Sequence, residues 1–157
     1  MSLNIVMVEP EIPQNTGNVA RLCAAAGARL HLVRPFGFQL DSKHMKRAGL
    51  DYWEFVDIVT HDSLPEFMAS LSSERFFLAT TSGHHSYHDV QYRDGDYIMF
   101  GPESRGLPKE MLRTYPDQTI RIPMAKQRRS LNVANSAAII LYEALRQLDF
   151  PALIKSM

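Results

Sequence analysis

Short apolar runs alternate with stretches of helical period along this chain. Residues 3–8 (LNIVMV) are apolar and rich in β-branched side chains, which predicts a buried strand. Pro10 and Pro13 punctuate the chain next. Val19, Leu22, Cys23 and Ala26 then recur at helical spacing, predicting a helix from about Asn15 to Ala26 with Gly27 as its stop. RLHLV (29–33) predicts a second strand, and Asp41 is placed to cap a short basic helix through Arg47, ended by Gly49. Tyr52, Trp53 and Phe55 form an aromatic group before a strand at VDIV (56–59). Asp62 or Ser63 opens a helix with Leu64, Phe67, Met68 and Leu71 on one face. RFFLAT (75–80) predicts a strand that leaves into a polar loop, TSGHHSYHD. YIMF (97–100) is a strand running into Gly101, Pro108 suits the first turn of a helix through Tyr115, and QTIRIP (118–123) is the last strand. A final helix is predicted from about Asn132 to Leu148.

This alternation predicts a single α/β domain over residues 1–157, with a mostly parallel sheet and helices on both faces. The last helix is unusual. Val133, Ala137, Ile140, Leu141, Ala144, Leu145 and Leu148 make one apolar stripe, and Ala134, Ala138, Ile139 and Tyr142 cover most of the rest. A helix apolar nearly all round is buried on more than one side, which predicts a second subunit against it, a homodimer.

Composition sharpens this picture without changing it. Hydrophobic residues make up 45% and charged residues 22%, as expected of a soluble globular domain. No apolar run approaches a membrane span, and MSLNIVMVEP lacks the features of a signal peptide. Cys23 has no partner for a disulfide, which suits a reducing cytoplasm. A net charge of zero argues against coating nucleic acid by charge alone. Two local basic clusters stand out: Lys43, His44, Lys46 and Arg47, and then Lys126, Arg128 and Arg129.

Three stretches carry candidate chemistry. In FGPESRGLP a strand ends at Gly101, and a second glycine, Gly106, follows in the loop. Glycines let backbone amides approach a ligand, and ligands of parallel sheets bind beyond the carboxyl ends of the strands. The loop is neither a P-loop nor the three-glycine dinucleotide fingerprint, and Ser104 lacks the spacing of a hydrolase nucleophile elbow. PQNTGNVAR sets Asn15, Asn18 and Arg21 around a glycine at a helix start, a place that favours anions. IPMAKQRRSLNVAN leads a proline-marked basic loop through Ser130 and Asn132 into the last helix. His84, His85 and His88 match no common zinc spacing, so no metal is expected.

Taken together, these stretches resemble the motifs of the SPOUT RNA 2′-O-methyltransferases. Asn15-Thr-Gly17-Asn18-Val-Ala-Arg21, Phe100-Gly101-Pro102-Glu103-Ser104-Arg105-Gly106-Leu107, and Ile122-Pro123-Met124 followed by Ser130-Leu131-Asn132-Val133-Ala134-Asn135 occur in the family order. The resemblance covers essentially the whole chain, in the layout of members without an appended RNA-binding domain. It implies an α/β fold whose C-terminal segment forms a trefoil knot, S-adenosylmethionine as cofactor, no metal, a homodimer and a tRNA substrate. The branch it resembles methylates the ribose of the wobble nucleotide, cytidine or modified uridine, of leucine tRNAs. By resemblance, Arg21 serves the 2′-hydroxyl, with Asn15, Ser130 and Asn132 as positioning groups. Cofactor contacts fall to Leu78, Ala79, Thr80, Gly101, Glu103, Gly106, Ile122, Met124, Ser130, Leu131 and Asn135, with Glu103 preferred as a brace for its loop. Lys126, Arg128, Arg129, Lys43 and Arg47 are expected to meet RNA. A non-catalytic RNA-binding or ribosome-associated protein on this fold is the rival expectation, and a hydrolase using Ser104 is a weaker one.

Overall fold

The computed structural model describes residues 2–40, 43, 56–126 and 130–157. Its described residues form a seven-stranded sheet in the order β3-β2-β1-β6-β4-β7-β5, and every strand pair is parallel. The strands are β1 (Asn4–Val8), β2 (Arg29–Val33), β3 (Ile58–His61), β4 (Phe76–Ala79), β5 (His85–Ser86), β6 (Tyr97–Phe100) and β7 (Thr119–Arg121). The helices are α1 (Pro13–Ala26), α2 (Leu64–Ser70), α3 (Lys109–Thr114) and α4 (Val133–Gln147). A 3-10 turn, Pro116–Gln118, leads into β7.

The pleat explains the two layers. Ile5, Met7, Leu30, Leu32, Phe77, Ile98, Phe100 and Ile120 point to one face and pack under α1 and α4. Val6, Val8, Val33, Leu78 and Met99 point to the other and pack with Phe67 of α2 and Met111 of α3. The strands are buried from both sides and therefore read as continuous apolar runs. The expected α/β sheet with helices on both faces is what the chain adopts.

Local expectations meet the structure with small differences. Helix α1 starts at Pro13, ahead of Asn15, because proline is at ease in a first turn. Gly27 ends it in the left-handed region (φ 69°), and its N–H donates to the Cys23 carbonyl. Ser63 is the cap of α2, accepting a hydrogen bond from the Glu66 N–H at 3.2 Å. Strand β3 begins two residues after the expected VDIV start, at the register that pairs Ile58 with Leu30. The TSGHHSYHD stretch is not all loop: His85 and Ser86 add a two-residue strand beside Ile120 and Arg121. Two residues are too few to show a period. The expected helix over 41–47 and the aromatic group at 52–55 lie outside the described residues.

The cysteine is a core residue. Cys23 is fully buried, and burial pushes its thiol up to about 12, so it stays protonated. On α4 the stripe Ala137, Ile140, Leu141, Ala144 and Leu145 is buried against the sheet and α1, while Ile139 and Tyr142 stand 37% and 41% exposed. Among the described residues, no helix is long and apolar enough to cross a membrane.

Candidate active site

From β1 the chain winds outward through β2 and β3, then returns to build β4, β6 and β7 on the other side of β1. A crevice opens beyond the carboxyl ends of parallel strands where the winding reverses. A cavity of about 580 Å³ lies there, within the range of small-molecule sites. The ends of β4, β6 and β7 supply its floor, and the start of α4 closes one side. Its walls mix apolar groups (Ile120, Ile122, Met124, Leu131) with backbone and hydroxyls from Thr80, Ser82 and Ser130.

Gly101 sets the shape of the glycine loop. A Cβ there would lie 2.2 Å from the Gly106 carbonyl carbon and from the Leu107 nitrogen, so the loop folds back on itself only over glycine. The turn closes through the Gly106 N–H, which donates to the Pro102 carbonyl at 2.8 Å. Gly106 itself has φ 71°, a conformation that side chains resist.

One hydrogen-bonded chain ties the three motifs together. The Glu103 carboxylate accepts from the backbone N–H of Glu11 (2.9 Å) and Ile12 (2.7 Å) and from Asn15 Nδ2 (3.2 Å). Asn15 Oδ1 in turn accepts from Asn132 Nδ2 at 3.0 Å. Asn132 Oδ1 caps α4, accepting from the N–H of Ala134 (2.8 Å) and Asn135 (3.2 Å). Glu103 therefore braces α1, answering two N–H groups at its entrance that have no partner within the helix. The contact is returned: Glu11 accepts from the Ser104 N–H and Oγ, both at 2.8 Å. Those bonds hold the exposed Glu11 carboxyl below its ordinary value. Arg105 adds a 3.1 Å ion pair to Glu9. The Ser104 hydroxyl is committed to Glu11, a carboxylate held below its ordinary range and so a weak base, which counts against Ser104 as a nucleophile.

Of the site residues expected from sequence, Asn15, Ala79, Thr80, Gly101, Glu103, Gly106, Ile122, Met124, Ser130, Leu131 and Asn132 line the cavity. Leu78 does not: its side chain is fully buried in the core layer with Phe67 and Met99, so only its backbone faces the strand end. Asn135 is exposed on α4 and does not line the cavity. Arg21 is exposed on α1 and also lies outside it. Lys43 and Lys126 are exposed; Arg47, Arg128 and Arg129 lie outside the described residues. His84 donates its N–H to Thr119 Oγ1 at 2.9 Å, and His88 Nδ1 sits 2.9 Å from Ser86 Oγ, so these histidines serve the β5 edge.

Sequence reasoning missed Arg121, which lines the cavity with an enclosed Nε that has no hydrogen-bond partner. Its signal was a lone cation in the otherwise apolar end of QTIRIP. A cradle closed to any Cβ and apolar walls beside it fit the nucleoside of S-adenosylmethionine.

The comparisons agree with this geometry. The model of the SpoU rRNA Methylase family matches residues 2–142. A tRNA (cytidine(34)-2′-O)-methyltransferase of Escherichia coli strain K12 is 49% identical over 153 residues, 97% of this chain and 98% of that protein. A structure solved for insight into the 2-OH methylation of C/U34 on tRNA is 50% identical with TM-score 0.87, over 94% of this chain and 97% of that one. The SpoU methyltransferase AviRb from Streptomyces viridochromogenes, in complex with the cofactor AdoMet, is 28% identical with TM-score 0.79, over 94% of this chain and 58% of that one.

Proposed function

This chain belongs to the SpoU rRNA Methylase family, and we propose that it is a tRNA ribose 2′-O-methyltransferase acting on the wobble nucleotide. The observation that carries the reading is the cavity in which the glycine loop and the Asn15 turn meet Ile122, Met124 and residues 130–132. Near-full-length identity to enzymes named for cytidine 34 supports the choice of nucleotide.

S-adenosylmethionine supplies a methyl group already activated on a positively charged sulfur. The protein's task is to align that methyl with the ribose oxygen and to manage the hydroxyl proton. Gly101 and Gly106 bring backbone amides to the ligand, and Ile122, Met124 and Leu131 give the adenine an apolar slot. Asn15 and Asn132 hold the two sides of the mouth together. Arg21 holds the adjacent phosphate and stabilises the developing alkoxide.

Arg21 does not line the cavity of its own chain. A homodimer through the exposed Ile139 and Tyr142 of α4 is the assembly that would bring it to a neighbour's cavity. Covering the area still exposed on each of these two side chains contributes about 1 kcal/mol. The trefoil knot belongs to the same reading, supported by the likeness to the SpoU structures. So do a single functional domain, RNA contacts at Lys43 and Lys126 and at Arg47, Arg128 and Arg129, a cytoplasmic place beside the tRNA pool, and leucine tRNAs as substrates.

The test incubates the protein with S-adenosylmethionine and total tRNA and maps methylated ribose by mass spectrometry. A 2′-O-methyl group at nucleotide 34, in leucine tRNAs above others, is expected. Tight tRNA binding without any methyl transfer would instead favour a non-catalytic RNA binder.

A further inference from the structure

Strand β7 ends in Arg121. Ile120 points into the α1 and α4 layer, so the pleat turns Arg121 to the opposite face, toward α3. There it lines the cavity together with Lys109 and Leu112 of α3. Its Nε is enclosed by protein and has no partner, and among the described residues no carboxylate or carbonyl takes a hydrogen bond from its guanidinium. Buried donors are almost always satisfied, so an orphan at a cavity wall calls for a ligand group.

The charges around the cavity say which kind. Glu103 is the only carboxylate among the described lining residues, and its oxygens already serve three donors. Arg105 is paired with Glu9. Arg121 and Lys109 are left as cations facing the cavity without a described counter-charge. An arginine fork matches a planar carboxylate through two parallel bonds. The place of Arg121 in the cavity wall favours a group delivered inside the cavity by a small molecule over a phosphodiester arriving from outside.

We propose that Arg121 binds the carboxylate of the cofactor's aminoacyl tail, with Lys109 adding longer-range attraction. Arg121 is then a cofactor-anchoring residue that sets the direction of the tail from the β7 side. This rests on the reading of the cavity as the S-adenosylmethionine site.

Calorimetric titration with S-adenosylmethionine and with its decarboxylated form isolates the one group concerned. Wild-type protein should bind the intact cofactor at least about tenfold more tightly, as a charge-assisted pair implies. Arg121→Gln should lose that preference by weakening the intact cofactor while leaving the decarboxylated form unchanged. Arg121→Lys, which keeps the charge without the fork, should recover part of it. Equal weakening of both ligands in a variant with wild-type circular dichroism and melting would overturn the proposal. So would an unchanged preference accompanied by weaker tRNA binding, which would assign Arg121 to RNA phosphate. If wild-type protein binds neither ligand, the reading of the cavity itself fails, an outcome distinct from either.

Discussion

Two of the polar networks among the described residues differ in what they leave open. One is the chain from Glu103 through Asn15 to Asn132 at the cavity mouth, which joins segments as far apart as residues 15 and 132. The other crosses β1, β2 and β3 on the α2 side. His31 is 4% exposed in the middle of β2, with Nε2 2.9 Å from Asn4 Oδ1 and Nδ1 3.0 Å from His61 Nε2. Asn4 donates its Nδ2 to the Gly95 and Ser2 carbonyls, which fixes its Oδ1 as the acceptor from His31. His31 Nδ1 then accepts from His61, and Phe67 and Tyr97 pack against the His31 ring. This second network runs from donor to acceptor with neutral groups, away from any ligand. The first is charged, faces a cavity, and leaves Arg121 beside it with a donor unfilled. A sealed polar network fixes which strands pair; an open one holds a site.

Breaking the open network should cost ligand binding, and Gly101→Val should cost the most. Its side chain would collide with the backbone of Gly106 and Leu107. We expect loss of measurable cofactor binding by calorimetry and destabilisation of about 1–3 kcal/mol or more from overpacking. Glu103→Ala should come next. It strips the acceptors from the Glu11 and Ile12 N–H groups and from Asn15 Nδ2, costing about 1–3 kcal/mol in denaturant unfolding and weakening cofactor binding. Asn132→Ala should cost about 1 kcal/mol through the lost α4 cap, and its deletion should be non-additive with that of Asn15.

The sealed network should leave cofactor affinity at neutral pH almost untouched and show itself in acid. Burial first, then the facing His61 and Arg29 charges, press the His31 pKa from 6.5 down to about 4, with Asp57 opposing. His61 is lowered as well, chiefly by burial. Folded protein therefore holds fewer protons on His31 than unfolded protein below pH 6.5. The stability this gives is fully present above pH 6.5 and is lost as pH falls through about 4, by at most about 1.4 kcal/mol per pH unit from this residue. Urea unfolding of wild type and His31→Phe across that window should show a shallower pH dependence in the variant. Parallel pH curves would remove His31 from the account.

The element types and the α/β class were legible because buried parallel strands are continuous apolar runs and the α1 and α4 helices show a clear period. The order of the motifs along the chain marks most of the cavity lining. Strand β5 was not legible, since His85 and Ser86 join the sheet only because β7 offers them an edge. Glu103 as the brace of α1 needed the fold, because its partners lie about ninety residues away. The sealed network had a sequence signal that went unread: Asn4 and His31 are polar residues in strands covered on both faces, and such residues must find each other. Arg121 was visible as a cation in an apolar strand, but which face it took depended on Ile120 facing α1 and α4.

The most direct measurement is a crystal structure with S-adenosylhomocysteine bound. The account predicts adenosine between the Gly101–Leu107 loop and the side chains of Ile122, Met124 and Leu131, with the amino-acid tail directed to Arg121. Density for the ligand outside that cavity, or a tail carboxylate turned away from β7 with the Arg121 guanidinium still unpaired, would contradict it.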